Sequence, residues 1–334
     1  MKTIYEYATD QMNVSIQHYF DLVSRTNDFR NFDEIVFKDE FARQMILAGK
    51  SLEYKGLNEK QCLDAVTRVS AIPFDTEKGV SALVYEKTRI YIDKLLQKAK
   101  EVSNVFTNVT PAAIKNNAYL LPIWQAALNV SSKSKLKTIF GVASDQLISG
   151  PCAKKISDYA NDYFAKNKVE DLSIKERTER TLEGIVRDLV GKLLYESIVR
   201  DALVKVNVPF RTENQYGGID GVVYKFRADF VIPNENEPLA FIEVRKSSSR
   251  HASLYAKDKM FSAINWKGKY KNMLGIVVAE GEWTEESLVS MSKVFDYVVP
   301  ASKSKELAEN IKKYMDGDKS ILKWIIDFKI SENK

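Results

Sequence analysis

Two short apolar runs each carry an acid that an ordinary buried strand would not hold. The first is Arg227-Ala228-Asp229-Phe230-Val231-Ile232, and the second is Phe241-Ile242-Glu243-Val244-Arg245-Lys246. Acids are seldom fully buried unless a cation or a metal accompanies them. Asp229 and Glu243 stand 14 positions apart (243 − 229), with the polar loop Asn234-Glu235-Asn236-Glu237-Pro238 between them. That loop suits a hairpin, and adjacent antiparallel strands bring opposite carboxylates together when both point to one face. Alternation along the second run puts Arg245 on the side of Glu243 and Lys246 on the other. Two carboxylates beside a cation suit a hard, oxygen-bound divalent ion working on phosphate. The chemistry this points to is phosphodiester hydrolysis. The ion activates water and assists the leaving oxygen, and the cation stabilises the charge that develops on the phosphoryl oxygens.

Several elements must position these residues. Ser173 to Val206 reads as one long helix, with Leu182, Ile185, Val186, Leu189, Leu193, Leu194 and Ile198 on an apolar face. Gly217-Gly218 marks a turn, and strands are expected over Ile219 to Tyr224, Ala228 to Ile232 and Leu239 to Val244. A helix follows over Ala252 to Ile264, stopped by Gly268, and Met273 to Ala279 reads as a strand buried on both faces. A helix at Glu285 to Lys293, a strand at Phe295 to Val299 and helices near Ser304 to Met315 and Ser320 to Ile326 complete the expectation. This is an α/β layer with a mixed sheet. The earlier part is mostly helical, with periodic apolar positions over Tyr5 to Val23, Ser81 to Val105 and Asn117 to Val130. Two domains are expected, a helical one at 1–168 and an α/β one at 169–334.

The order helix, three strands, helix, strand, with Asp229 on the second strand and Glu243-Val244-Arg245 on the third, resembles the PD-(D/E)xK nucleases, the superfamily of restriction endonucleases. The resemblance covers about Ser173 to Val299. Ala228-Asp229 stands for the family's Pro-Asp, and Glu243-Val244-Arg245 for its Glu-x-Lys. It implies a restriction-endonuclease-like core and a magnesium-dependent endonuclease acting on double-stranded DNA, most like a type II restriction enzyme. It implies Asp229 and Glu243 as metal ligands and catalytic acids. A further carboxylate is expected on the preceding helix, where Glu183 is the first choice and Asp188 and Glu196 stand behind it. This chain departs from the pattern at the catalytic lysine, which is Arg245. Arginine can clamp phosphate but stays protonated, so it cannot act as a base. Lys246, one step along, is the other candidate for the catalytic cation. The helical domain at 1–168 would read sequence or embrace the duplex, and a homodimer is expected if the target is palindromic. A structure-selective repair or recombination nuclease on the same core, and a DNA-binding protein with a decayed site, are the alternatives.

Ser247, Ser248, Ser249 and Arg250 lead into the next helix, and with Lys257 they are the expected DNA contacts, since hydroxyls and cations at a helix start suit phosphate. The competing structural readings are an ion pair at the sheet edge for the two acids and a capped polar loop for the serines. Asp220 competes with Asp229 but stands beside a turn glycine, where acids serve the backbone. The chain has 334 residues and a net charge of +5, which permits an anionic partner without demonstrating one. Its two cysteines and two histidines exclude a disulfide framework and a multi-histidine metal site. No apolar run is long enough for a membrane span and the first residues have no signal-peptide core, so a cytoplasmic protein is expected.

Overall fold

Local capping signals start the helices of the first 190 residues, and apolar stripes bring them together. Thr3 and Glu6 form a reciprocal capping box at the first helix, and Asp75 caps the longest one. The computed structural model describes residues 1–334 except 54, 328, 334 and the side chain of residue 249. Two compact units divide the chain, Met1–Val190 and Gly191–Lys334.

The first unit is helical: α1 Ile4–Arg25, α2 Glu40–Gly49, α3 Glu59–Arg68, α4 Thr76–Val102, α5 Pro111–Asn116, α6 Leu121–Ala127, α7 Lys133–Phe140, α8 Gly150–Lys166 and α9 Asp171–Leu189. Helix α4 is the hub, packed by α1, α2, α6 and α9. Trp124 is fully buried on α6. The sequence placed the division at 168/169, but α9 packs on α1, α4 and α6 and so belongs to the helical unit. The long helical stretch expected over Ser173 to Val206 is present, with a π turn at Val190–Leu194 between α9 and α10 (Tyr195–Lys205).

The second unit contains α10 and a five-stranded mixed sheet in the order β1-β4-β5-β6-β7, formed by Arg211–Thr212, Phe230–Ile232, Ala240–Ser247, Leu274–Gly281 and Tyr297–Val299. The first two pairings are antiparallel and the last two parallel. Parallel neighbours need crossovers. Helix α11 (Ala252–Lys269) supplies the first and α12 (Glu285–Met291) the second, and α13 (Ser304–Met315) follows the sheet. Val231, Phe241 and Val277 pack with Ala256, Ala263 and Trp266 of α11 in one apolar core. Phe230, Ile242 and Ile276, of opposite parity, are also fully buried. Among the described residues no helix is long and apolar enough to cross a membrane.

Three expectations are corrected. The strand expected over Ile219 to Tyr224 is only Ile219–Asp220 (β2), paired with Lys225–Phe226 (β3) in a separate two-stranded sheet. The edge of the main sheet is Arg211–Thr212 instead. The reason is Asn265 on α11: its Oδ1 accepts from Val223 N and its Nδ2 donates to Tyr224 O, drawing this loop out of the sheet. Gly221 permits the approach, because a Cβ there would lie 1.9 Å from Asn265 Nδ2. Gly268 does not stop its helix, which runs on to Lys269. The helix near Ser320 to Ile326 reduces to one 3-10 turn at Lys319–Ile321. Buried Asp296 takes the N–H groups of Lys323 and Trp324 that such a helix would use.

Candidate active site

The hairpin register decides where the two acids meet. Phe230 pairs with Ile242 and Val231 with Phe241, and one further step sets Asp229 opposite Glu243. Asp229 ends the ladder: its Oδ2 accepts from Val244 N at 2.7 Å, replacing a backbone acceptor. Asp229 is buried and Glu243 fully so. Arg245, on the parity of Glu243, bridges them, with Nη1 2.9 Å from Asp229 Oδ2 and Nη2 2.8 Å from Glu243 Oε2. Its side chain keeps 29% of its surface exposed, so solvent reaches this edge of the cluster.

A second cation comes from the helix side. Lys259 of α11 is buried, and its Nζ lies 3.3 Å from Glu243 Oε2 and 3.4 Å from Oε1. Oε2 makes no well-directed hydrogen bond although both cations face it. Burial pushes the Glu243 carboxyl up to about 7; Asp229 adds to this while Arg245 and Lys259 oppose it. Burial works against the charge of Arg245, but Glu243 and Asp229 outweigh it and raise its pKa.

Glu196, in the first turn of α10, is the third acid. Burial and then the neighbouring Asp229 charge raise its pKa to about 7, while Arg245 and Arg200 oppose the rise. Asp229 and Glu243 thus face the two cations, and the charge of Glu196 is felt through Asp229 and Arg245. The segment before Asp229 is fixed by Tyr216. Its hydroxyl accepts from Ala228 N and donates to Ala228 O, both at 2.7 Å.

The other expected site residues are distributed differently. Glu183 is not brought to this cluster: it is exposed on α9 in the first unit, where its charge acts on Tyr85. Asp188 is also in the first unit, hydrogen-bonded by the Tyr5 hydroxyl. Lys246 has the opposite parity to Arg245 and is half-buried, with its Cβ beside Gly191. Asp220 is exposed and pairs with Lys225 and Lys269. Ser247 is buried and its hydroxyl donates to Ser248 O, so it serves the turn. Ser248 is half-buried, Arg250 and Lys257 are exposed, and the side chain of Ser249 lies outside the described residues. His251 precedes α11 without a side-chain cap.

Among the described residues no three or more His, Cys, Asp or Glu side chains form a ready-made metal cage. Magnesium does not require one, since it binds through one or two carboxylates and keeps several waters. Asp229 and Glu243 are the hard oxygen donors of the right type for it. Compared with known proteins, the chain has no significant match to any family model, curated protein or solved structure.

Proposed function

We propose that this protein is a magnesium-dependent endonuclease that hydrolyses phosphodiester bonds of double-stranded DNA, in the manner of a type II restriction enzyme. One observation carries the reading: two buried acids sit opposite each other on neighbouring strands and share a half-exposed guanidinium. Supporting it, α10, the antiparallel strands β1, β4 and β5, α11 and β6 run in the order of a restriction-endonuclease-like core. Asp229 and Glu243 would hold the magnesium, and Glu196 is the third carboxylate. When bound, magnesium supplies Lewis-acid polarisation of the phosphoryl group and a more acidic water. Arg245 stabilises the negative charge that builds on the phosphoryl oxygens, because it alone of the two cations is open to solvent. Lys259 stays behind Glu243 and keeps its carboxylate ionised and oriented. Glu196, with a pKa near neutrality, takes the proton of the attacking water. Arg250 and Lys257 are exposed at and after the start of α11 and are the remaining candidates for backbone contacts. A homodimer follows if the target is palindromic.

The test is supercoiled plasmid incubated with the protein and magnesium, with Asp229→Ala and Glu243→Ala in parallel. Cleavage by the wild type that both substitutions abolish supports the reading, and equal cleavage by all three overturns it. A second reading, a DNA-binding protein with a decayed site, is favoured by the guanidinium lodged between the two carboxylates. Tight duplex binding without cleavage in magnesium or manganese would select it.

A further inference from the structure

Helix α9 carries its charges on two stripes with different fates. Asp171, Lys175 and Glu179, spaced four apart, pair with Lys100, Asp93 and Arg89 of α4. This stripe is neutralised within the helical unit. Arg177 and Arg180 lie on the other side, three apart and therefore neighbours on the helix surface. Together with Lys133, from the start of α7, they line a cavity of about 470 Å³. Among the described residues none of these three cations forms an ion pair. Arg177 is held in place by donating from Nη1 to Ala126 O at 2.9 Å. Gly184, one turn beyond Arg180, borders open space, with nothing within 4 Å of a Cβ placed there. The one acid of the lining, Asp188, is eight residues past Arg180, about 12 Å along the axis.

Three cations converging on one concavity repel one another, and an anion relieves that repulsion. The cavity is of ligand size, and the hydroxyls of Ser131 and Ser132 add donors beside Lys133. We propose that this groove is a phosphate-binding site that holds the sugar–phosphate backbone of nucleic acid. The anion site stands on the three unpaired cations, and only the choice of nucleic acid as its source rests on the endonuclease reading above.

The experiment uses the full chain with a 30-base-pair fluorescent duplex in EDTA, read by anisotropy across a salt series. The variants are the double substitution Arg180→Ala with Lys133→Ala and the charge reversal Arg180→Glu. Both change exposed residues, and circular dichroism melting verifies their folds. Removing two phosphate contacts lowers the slope of log affinity against log salt by about 2. The expected result is that drop, with at least ten-fold weaker binding at low salt. Calorimetry with inorganic phosphate and AMP forms the second arm, where weak binding that the duplex competes away is expected. Unchanged duplex affinity and slope in both variants would overturn the proposal while leaving the endonuclease reading intact. Tight AMP binding that duplex does not displace would assign the groove to a free nucleotide and overturn the backbone assignment. Arg180-dependent phosphate binding by a wild type with no duplex affinity would overturn the nucleic-acid source and the endonuclease reading together, and would leave an anion site.

Discussion

Replacing Lys259 with methionine isolates the contribution of the buried ammonium with little change in volume. Lys259 Nζ lies 3.3 Å from Glu243 Oε2. At an effective dielectric constant of about 20, that contact is worth about 5 kcal/mol of gross attraction. Desolvation of the lysine cancels part of it, which leaves on the order of 3 kcal/mol. Glu243 already has its carboxyl pushed up to about 7 with the lysine present. Without it the carboxyl moves well above neutrality, because about 1.4 kcal/mol corresponds to one pH unit. Two consequences separate. Stability falls by only about 1–3 kcal/mol, because Glu243 takes a proton instead of standing as an uncompensated buried charge. Activity at pH 7.5 falls about 40-fold, because the ionised form that can hold magnesium becomes rare. The lost activity returns at roughly tenfold per pH unit on going to pH 9, and Lys259→Arg restores part of it. Plasmid cleavage rates at a fixed sub-saturating magnesium concentration from pH 6.5 to 9, with urea unfolding of the same samples, read both quantities. A Lys259→Met protein with wild-type rates, or one whose deficit is the same at every pH, would refute the reasoning.

Four further outcomes follow. In EDTA, stability falls as pH rises from about 4.5 to 7, because Glu243 and Glu196 bind protons more tightly folded than unfolded; Glu243 contributes on the order of 3 kcal/mol. Urea unfolding at pH 5 and 8 checks this, and a wild type at least as stable at pH 8 as Glu196→Gln would contradict it. Tyr216→Phe frees both polar groups of Ala228 and costs about 1–3 kcal/mol, with a larger loss of cleavage rate than of duplex binding. Gly221→Ala drives a Cβ against Asn265 and destabilises by about 1–3 kcal/mol in thermal melts. Lys267→Met breaks the fully buried pair with Asp296 and costs about 3–5 kcal/mol, whereas the double change Lys267→Met with Asp296→Leu costs less than the sum of the two single changes.

The carboxylate pair was legible because an acid inside an apolar strand breaks the period-2 pattern, and a 14-residue spacing around one turn fixes its partner (243 − 229). Arg245 followed from the same alternation. The third acid did not. Glu183 and Glu196 are both polar positions on one helical stretch, and the π turn at Val190–Leu194 shifts the helical phase between them. Lys259 did leave a signal. It stands three after Ala256 and four before Ala263 and is buried with them, so a charged residue on an apolar stripe marked a buried partner. The short hairpin at Ile219–Phe226 was misread because strand propensity dominated a segment that Asn265 captures from another element. The same holds for the last helix, whose N–H groups go to Asp296.

The two cations are not interchangeable, and their chemistry explains why arginine occupies the strand and lysine the helix. Arg245 must reach two carboxylates at once, one through each terminal nitrogen. A planar fork does that through two terminal nitrogens, and its delocalised charge tolerates partial exposure. Lys259 has a different task, to deliver one compact charge into a closed space behind Glu243. Its single ammonium pairs with Glu243 on one side and with the exposed Asp258 carboxylate on the other. Under the proposed endonuclease reading, arginine at this strand position is compatible with a working site. Glu243 therefore meets positive charge from two sides, once from the half-exposed Arg245 at the edge and once from the buried Lys259 in the interior.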